Sequence, residues 1–215
     1  MGKSKNKYTS SLPEQVLEEV SQYSEAAVEL YGIISLAKLT EIINSQNEYE
    51  VTPDDIEFVC KENEGYIYSY VYEDNVVHES FQLYEEDDAY ETLLDKQFNK
   101  PYKIFDKEEF LAYGDDDNVD VPEIFKKLRK YLVAEVEIMR DMAEEICEDM
   151  FIGINFEDGT NDLMSELTRR EIYVTLEQRK RIFEIYKECR NKSPLWENRG
   201  YSYEELEQMG DNVNE

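Results

Sequence analysis

Five oxygen-bearing side chains stand almost in a row at Asp115, Asp116, Asp117, Asn118 and Asp120, the donor type that calcium or magnesium requires. Counted from Asp115, however, position six is Asp120 where an EF-hand loop needs glycine, and position twelve is Lys126 where it needs a bidentate glutamate. The run therefore reads as a solvated acidic loop, and no metal is expected. Zinc fares no better, because Cys60, His78, Cys147 and Cys189 lack ligand-pair spacing. Three scattered cysteines without a CxxC pair fit reduced thiols in a cytoplasm rather than a disulfide framework. The one histidine, His78, falls in a stretch of strand character and reads as a partly exposed strand residue, not a general base. No GxSxG, HExxH or glycine-rich phosphate loop is present, so no motif implies an enzyme or a cofactor.

The abundant chemistry is negative charge. The 215 residues carry 51 acidic and 23 basic side chains, a formal charge of −28 that repels nucleic acid and anionic lipid and argues against binding either. Aromatic residues at 13% distinguish the chain from disordered acidic tails, so the charge decorates a folded core. It is unevenly placed: residues 13–120 hold a net −23, whereas residues 163–215 hold only −2, with a basic cluster at Arg169, Arg170, Arg179, Lys180 and Arg181 available for internal pairing with the acidic half. Carboxylates fixed on helices can imitate a row of phosphates. The expected function is thus a non-enzymatic inhibitor, of anti-CRISPR or anti-restriction type, that occupies the nucleic-acid cleft of a basic protein such as a CRISPR effector. The candidate contact residues are Asp54, Asp55, Glu57, Glu85, Glu86, Asp87, Asp88, Asp115, Asp116 and Asp117. Tyr66, Tyr68, Tyr70 and Tyr72 alternate on one face of a strand. That face either packs on helices, the commoner arrangement, or makes Tyr68 and Tyr70 aromatic contacts for a protein-interaction adaptor, the alternative function.

These residues need elements to position them. Residues 1–12 read as a disordered lead-in without the apolar run of a secretory signal, and no stretch is apolar enough to span a membrane. From Pro13 to Tyr31 the apolar spacing is helical, and Gly32 ends the helix. Ile33 and Ile34 form a very short strand, Ser35 caps a second helix, and Thr52-Pro53-Asp54-Asp55 starts a third that runs to about Asn63. Strand-forming runs at Tyr66–Tyr72 and Val76–Phe81 flank the turn residues Glu73-Asp74-Asn75, a β-hairpin. Helix, strand, helix, helix, hairpin is the order of a winged helix, yet residues 52–65 carry −4, so the third helix would be expelled from a DNA groove. A helix from Glu85–Asp88 through Phe98 follows, and Asp106 with Glu109 opens another through Tyr113.

Residues 121–215 read as an antiparallel helical section: one long helix from Val121-Pro122 to about Met150, a loop over Asn155–Asn161, helices over Asp162–Tyr173 and Thr175–Asn191, and a short one over Tyr203–Met209. The expected fold is α+β and mostly helical, with a lead-in (1–12), an acidic winged-helix-like section (13–120) and a helical section (121–215). Oligomeric state is left open.

Three segments, Tyr31–Leu39, Lys100–Asp117 and Leu195–Leu206 with its Trp196-Glu-Asn-Arg-Gly200 core, resemble poorly characterised Gram-positive proteins that often end in a SEC-C zinc motif. The resemblance implies a bacterial or mobile-element source and a scaffold. The cysteine-rich zinc tail of that family has no counterpart before Glu215, so zinc binding does not carry over.

Overall fold

A computed structural model describes residues 10–63, 68–84, 88–114, 121–155 and 159–212. The protein is a mostly helical α+β structure with a small three-stranded antiparallel sheet. It divides into two compact units, Met1–Asn118 and Val119–Glu215, each with its own apolar core. Among the described residues no helix is long and apolar enough to cross a membrane.

In the first unit α1 (Glu14–Tyr31) is the central element. Val20, Tyr23, Ala26, Ala27, Val28, Leu30 and Tyr31 are all buried, so the helix is enclosed on most sides. Gly32 ends it at φ 68°, in the left-handed region that glycine enters without strain. Strand β1 (Ile33–Ser35) follows, and the Ser35 hydroxyl accepts the Lys38 N–H to start α2 (Leu36–Gln46). Thr52 and Asp55 form a reciprocal capping box for α3 (Pro53–Glu62).

Strands β2 (Ser69–Tyr72) and β3 (Asn75–His78) are joined by Glu73 and Asp74, both at positive φ, a two-residue turn whose twist suits a hairpin. The expected strands were longer. Tyr68 precedes β2, Tyr66 lies outside the described residues, and Phe81 belongs to a 3₁₀ turn over Glu79–Tyr84. Strand β3 is central, in the order β1-β3-β2. Ile34, Val76 and Val71 pair across the face turned to the core, while Ile33, Val77 and Tyr70 pair across the other.

Helix α4 (Ala89–Gln97) belongs to that second face: the Tyr90 ring meets Tyr72 edge-on at 5.1 Å, and Gln97 donates to the Tyr31 carbonyl at 2.7 Å. Asp106 caps α5 (Lys107–Ala112) as expected. After α5, Gly114 crosses α1 so closely that a Cβ there would sit 2.8 Å from the Ala26 nitrogen.

The second unit corrects the long helix. It is two helices, α6 (Phe125–Glu135) and α7 (Arg140–Ile152), broken at Val136–Met139 with Glu137 at φ 62°. The apolar spacing persists through the break, but folding back lets both halves bury their stripes in one core, which a straight rod cannot do. Arg129 on α6 bonds Glu144 on α7 at 2.7 Å, and the Phe125 and Phe151 rings meet at 5.7 Å, as antiparallel neighbours must. Helix α8 (Gly159–Arg169) begins inside the expected loop and stops short of Tyr173. Glu171 turns at φ 57°, and Ile172 and Val174 pack on the core as extended chain.

Thr175 and Gln178 box the start of α9 (Leu176–Lys192), which lies antiparallel to α6 through the Lys127–Glu188 ion pair and a bond from Gln178 to the Glu135 carbonyl. The Trp196–Gly200 segment forms a tight turn with Arg199 and Gly200 both left-handed. One Glu197 oxygen there accepts from Arg190 at 2.6 Å and from Tyr203, on α10 (Tyr203–Asn212), at 2.7 Å.

Candidate partner-binding surface

The expected acidic contacts separate into three groups. Asp54 is exposed on the first turn of α3 and Asp88 is exposed just before α4. Asp55 and Glu57, by contrast, are engaged within the unit. The Asp55 carboxylate accepts from Ser10 Oγ at 2.6 Å, Thr52 Oγ1 at 2.7 Å and Thr52 N at 3.0 Å. Burial pushes its pKa up, but these bonds outweigh it and hold the group below the usual carboxylate range. Glu57 pairs with Lys61 one turn along. Glu85, Glu86, Asp87, Asp115, Asp116 and Asp117 lie outside the described residues. Of the tyrosines, Tyr70 is half-buried on β2 and burial raises its phenol pKa; Tyr72 is exposed yet stacks on Tyr90, and Tyr68 is exposed ahead of the strand. The four-tyrosine ladder is therefore two strand residues, one of them packed against α4.

Sequence spacing missed where the exposed acids converge. A polar network joins α1, the end of α2 and the start of α5. Glu19 accepts from Tyr49 at 2.6 Å and pairs with Lys107, which also donates to Asn47 Oδ1 at 2.6 Å. Asn47 donates to Tyr23 Oη at 3.1 Å, Tyr23 donates to Gln46 at 2.9 Å, and Gln46 donates to the Phe105 carbonyl at 2.9 Å. The Ser10–Asp55 bond brings in the start of α3. The N-terminal turns of α1, α3 and α5 and the α2–α3 loop thus meet at one end of the first unit. Exposed there are Glu14, Glu18, Glu48, Glu50, Asp54, Asp106, Glu108 and Glu109, while Lys107 among them is bound to Glu19. Acids in a first helical turn also stabilise that helix, which accounts for Glu14, Asp54, Glu108 and Glu109 but not for Glu48 and Glu50 in the loop. The available signal was the run of helix-start acids, each legible separately; their meeting depends on tertiary contacts.

His78 is not an isolated strand residue. Its Nδ1 lies 2.8 Å from Ser80 Oγ and 3.1 Å from the Ser80 backbone N–H, and its Nε2 lies 3.0 Å from Glu29 Oε1. Because the Ser80 N–H must donate, Nδ1 accepts and Nε2 carries the hydrogen toward Glu29. The order hydroxyl, imidazole, carboxylate is that of an activated nucleophile, but here the backbone N–H shares the lone pair on Nδ1 that a general base would use. The cluster ties α1 to the end of the sheet. Glu29, 49 residues away, could not be found by spacing.

The thiols offer no nucleophile at neutral pH: burial pushes Cys60 up to about 11 and Cys147 and Cys189 up to about 12. Among the described residues no group of three or more His, Cys, Asp or Glu could hold a metal ion. A cleft of about 120 Å³ between α6 and α7, lined in part by Phe125, Arg129, Glu144 and Cys147, is smaller than the roughly 300 Å³ at which small-molecule sites begin. Three of the basic cluster are engaged locally, with Arg179 and Lys180 exposed: Arg169 grips Glu166 at 2.6 and 2.9 Å, Arg170 holds Glu145 at 2.6 Å and Asp149 at 2.9 Å, and Arg181 pairs with Glu184. These partners belong to the second unit itself rather than to the acidic section. No protein-family model, curated protein or solved structure matches the chain.

Proposed function

We propose that the protein is a non-enzymatic acidic inhibitor that docks the acidic end of its first unit into the nucleic-acid cleft of a basic enzyme. One observation carries this reading: eight exposed carboxylates from four separate segments gather at one end, around a half-buried polar network, with the nearby Lys107 already neutralised. Fixed carboxylates meet a cationic groove without first paying the ordering cost of a flexible acidic tail, and their field steers encounter. A winged-helix-like reading of the first unit accords with this, since its element order and the β1-β3-β2 sheet would put α3, with Asp54 outward, where such folds present a helix to DNA. An acidic α3 suits a protein groove instead.

The test measures binding to a purified guide-loaded CRISPR effector and to a restriction endonuclease across a salt series, with and without cognate DNA. Affinity should fall steeply with salt, DNA should compete, and the triple reversal Glu48→Lys, Glu50→Lys, Asp54→Lys should weaken binding at least about tenfold. Salt-insensitive binding, or a ternary complex with DNA, rules the mimic out and favours an adaptor using Tyr68 and Tyr72, which are 43% and 47% exposed.

A further inference from the structure

The second unit has an end of a different character. The α6–α7 turn and the α8–α9 turn lie together there, linked by the Gln178 bond to the Glu135 carbonyl. Three large apolar side chains on these turns stand outward from the unit's core: Tyr173 is 86% exposed, Met139 72% and Leu176 72%, with Val133 beside the turn at 38%. Their neighbours Val136, Ile138, Ile172 and Val174 pack inward on the core, so the turns are anchored and the outward residues are displayed by a fixed backbone. Several large apolar groups shown together mark an association surface more often than singly scattered ones do.

Charge selects the occupant. Exposed Arg140, Arg179 and Lys180 share this end with the exposed acids Glu135, Glu137, Asp141, Glu171 and Glu177. Both signs are present there, three bases against five acids, in a chain of net charge −28. Two copies approaching through residues 13–120 would oppose −23 with −23, whereas two copies meeting at this end bring both signs from each side. A two-fold arrangement lets the Arg179 and Lys180 region of one copy face the Glu135 and Glu137 region of the other around an aromatic centre. We propose that this end of the second unit is a self-association surface, and that its occupant is the same end of a second copy of the chain.

Sedimentation of the full chain over a concentration series, at low and at molar salt, tests it. The wild type should show a monomer–dimer equilibrium that survives molar salt, because the apolar contact persists when the charges across the interface are screened. Tyr173→Ser with Leu176→Ser should raise the dissociation constant at least about tenfold, with an unchanged melting temperature because both side chains are exposed. A wild type that stays monomeric throughout, or a double variant that dimerises as well as wild type, overturns the proposal. The acidic-end variant Glu48→Lys, Glu50→Lys, Asp54→Lys serves as control: it should leave the dimer in high salt intact, and loss of the dimer in that variant would overturn the assignment to the second unit.

Discussion

Asp55 does the work of a helix cap although it stands in a row of acids that invites an interaction role. With three hydrogen bonds to its carboxylate, Asp55→Ala should destabilise the first unit by about 1–2 kcal/mol in urea unfolding while leaving the salt dependence of partner binding unchanged. Asp54→Ala should do the reverse. Glu166 supplies a pH signature. Hydrogen bonds from Arg169 and then Arg170 hold its pKa at about 2, against an ordinary 4.5, so its stabilising contribution is complete above 4.5 and disappears as pH falls toward 2. The melting-temperature gap between wild type and Glu166→Gln should therefore be constant from neutrality to about pH 5 and close below that. Gly114 is a residue whose side chain matters by being absent: Gly114→Ala should destabilise by about 1–3 kcal/mol, because the methyl would meet the α1 backbone and not a movable side chain.

At the scale of elements, the contrast between α3 and the α6–α7 pair explains what could be read without coordinates. Local chemistry announces α3: a threonine cap, a proline in the first turn and a reciprocal aspartate are all backbone-directed signals within four residues. The break between α6 and α7 has no such signal. Glu137 sits in the left-handed region without being glycine or asparagine, and the apolar repeat runs on through it, so only the folding-back of α7 on α6 specifies the turn. Glu137→Gly should relieve that conformation and raise the stability of the second unit by up to about 1 kcal/mol in thermal unfolding. The same distinction governs the candidate surface. Acids at helix starts were legible one helix at a time, whereas the Glu19–Lys107–Asn47 network that gathers them joins residues up to 88 apart in sequence. Likewise, alternation located the tyrosines but not the helix that packs on Tyr72.

The whole molecule is two cores under one very uneven charge distribution. Self-repulsion is concentrated in the first unit, whose Lys38, Lys61 and Lys107 are paired with adjacent acids. Raising salt should therefore increase the unfolding midpoint of that unit more than that of the second, where screening also weakens the Arg169 and Arg170 pairs. The three interior thiols give this arrangement a practical readout. Cys60 belongs to the first core, Cys147 and Cys189 to the second, and all are buried. An alkylating reagent at neutral pH reaches none of them until the surrounding core opens. The mass added to the intact chain then names the unit that opened: one adduct for the first, two for the second. The protein thus carries an internal tally of its own partial unfolding, without any introduced probe.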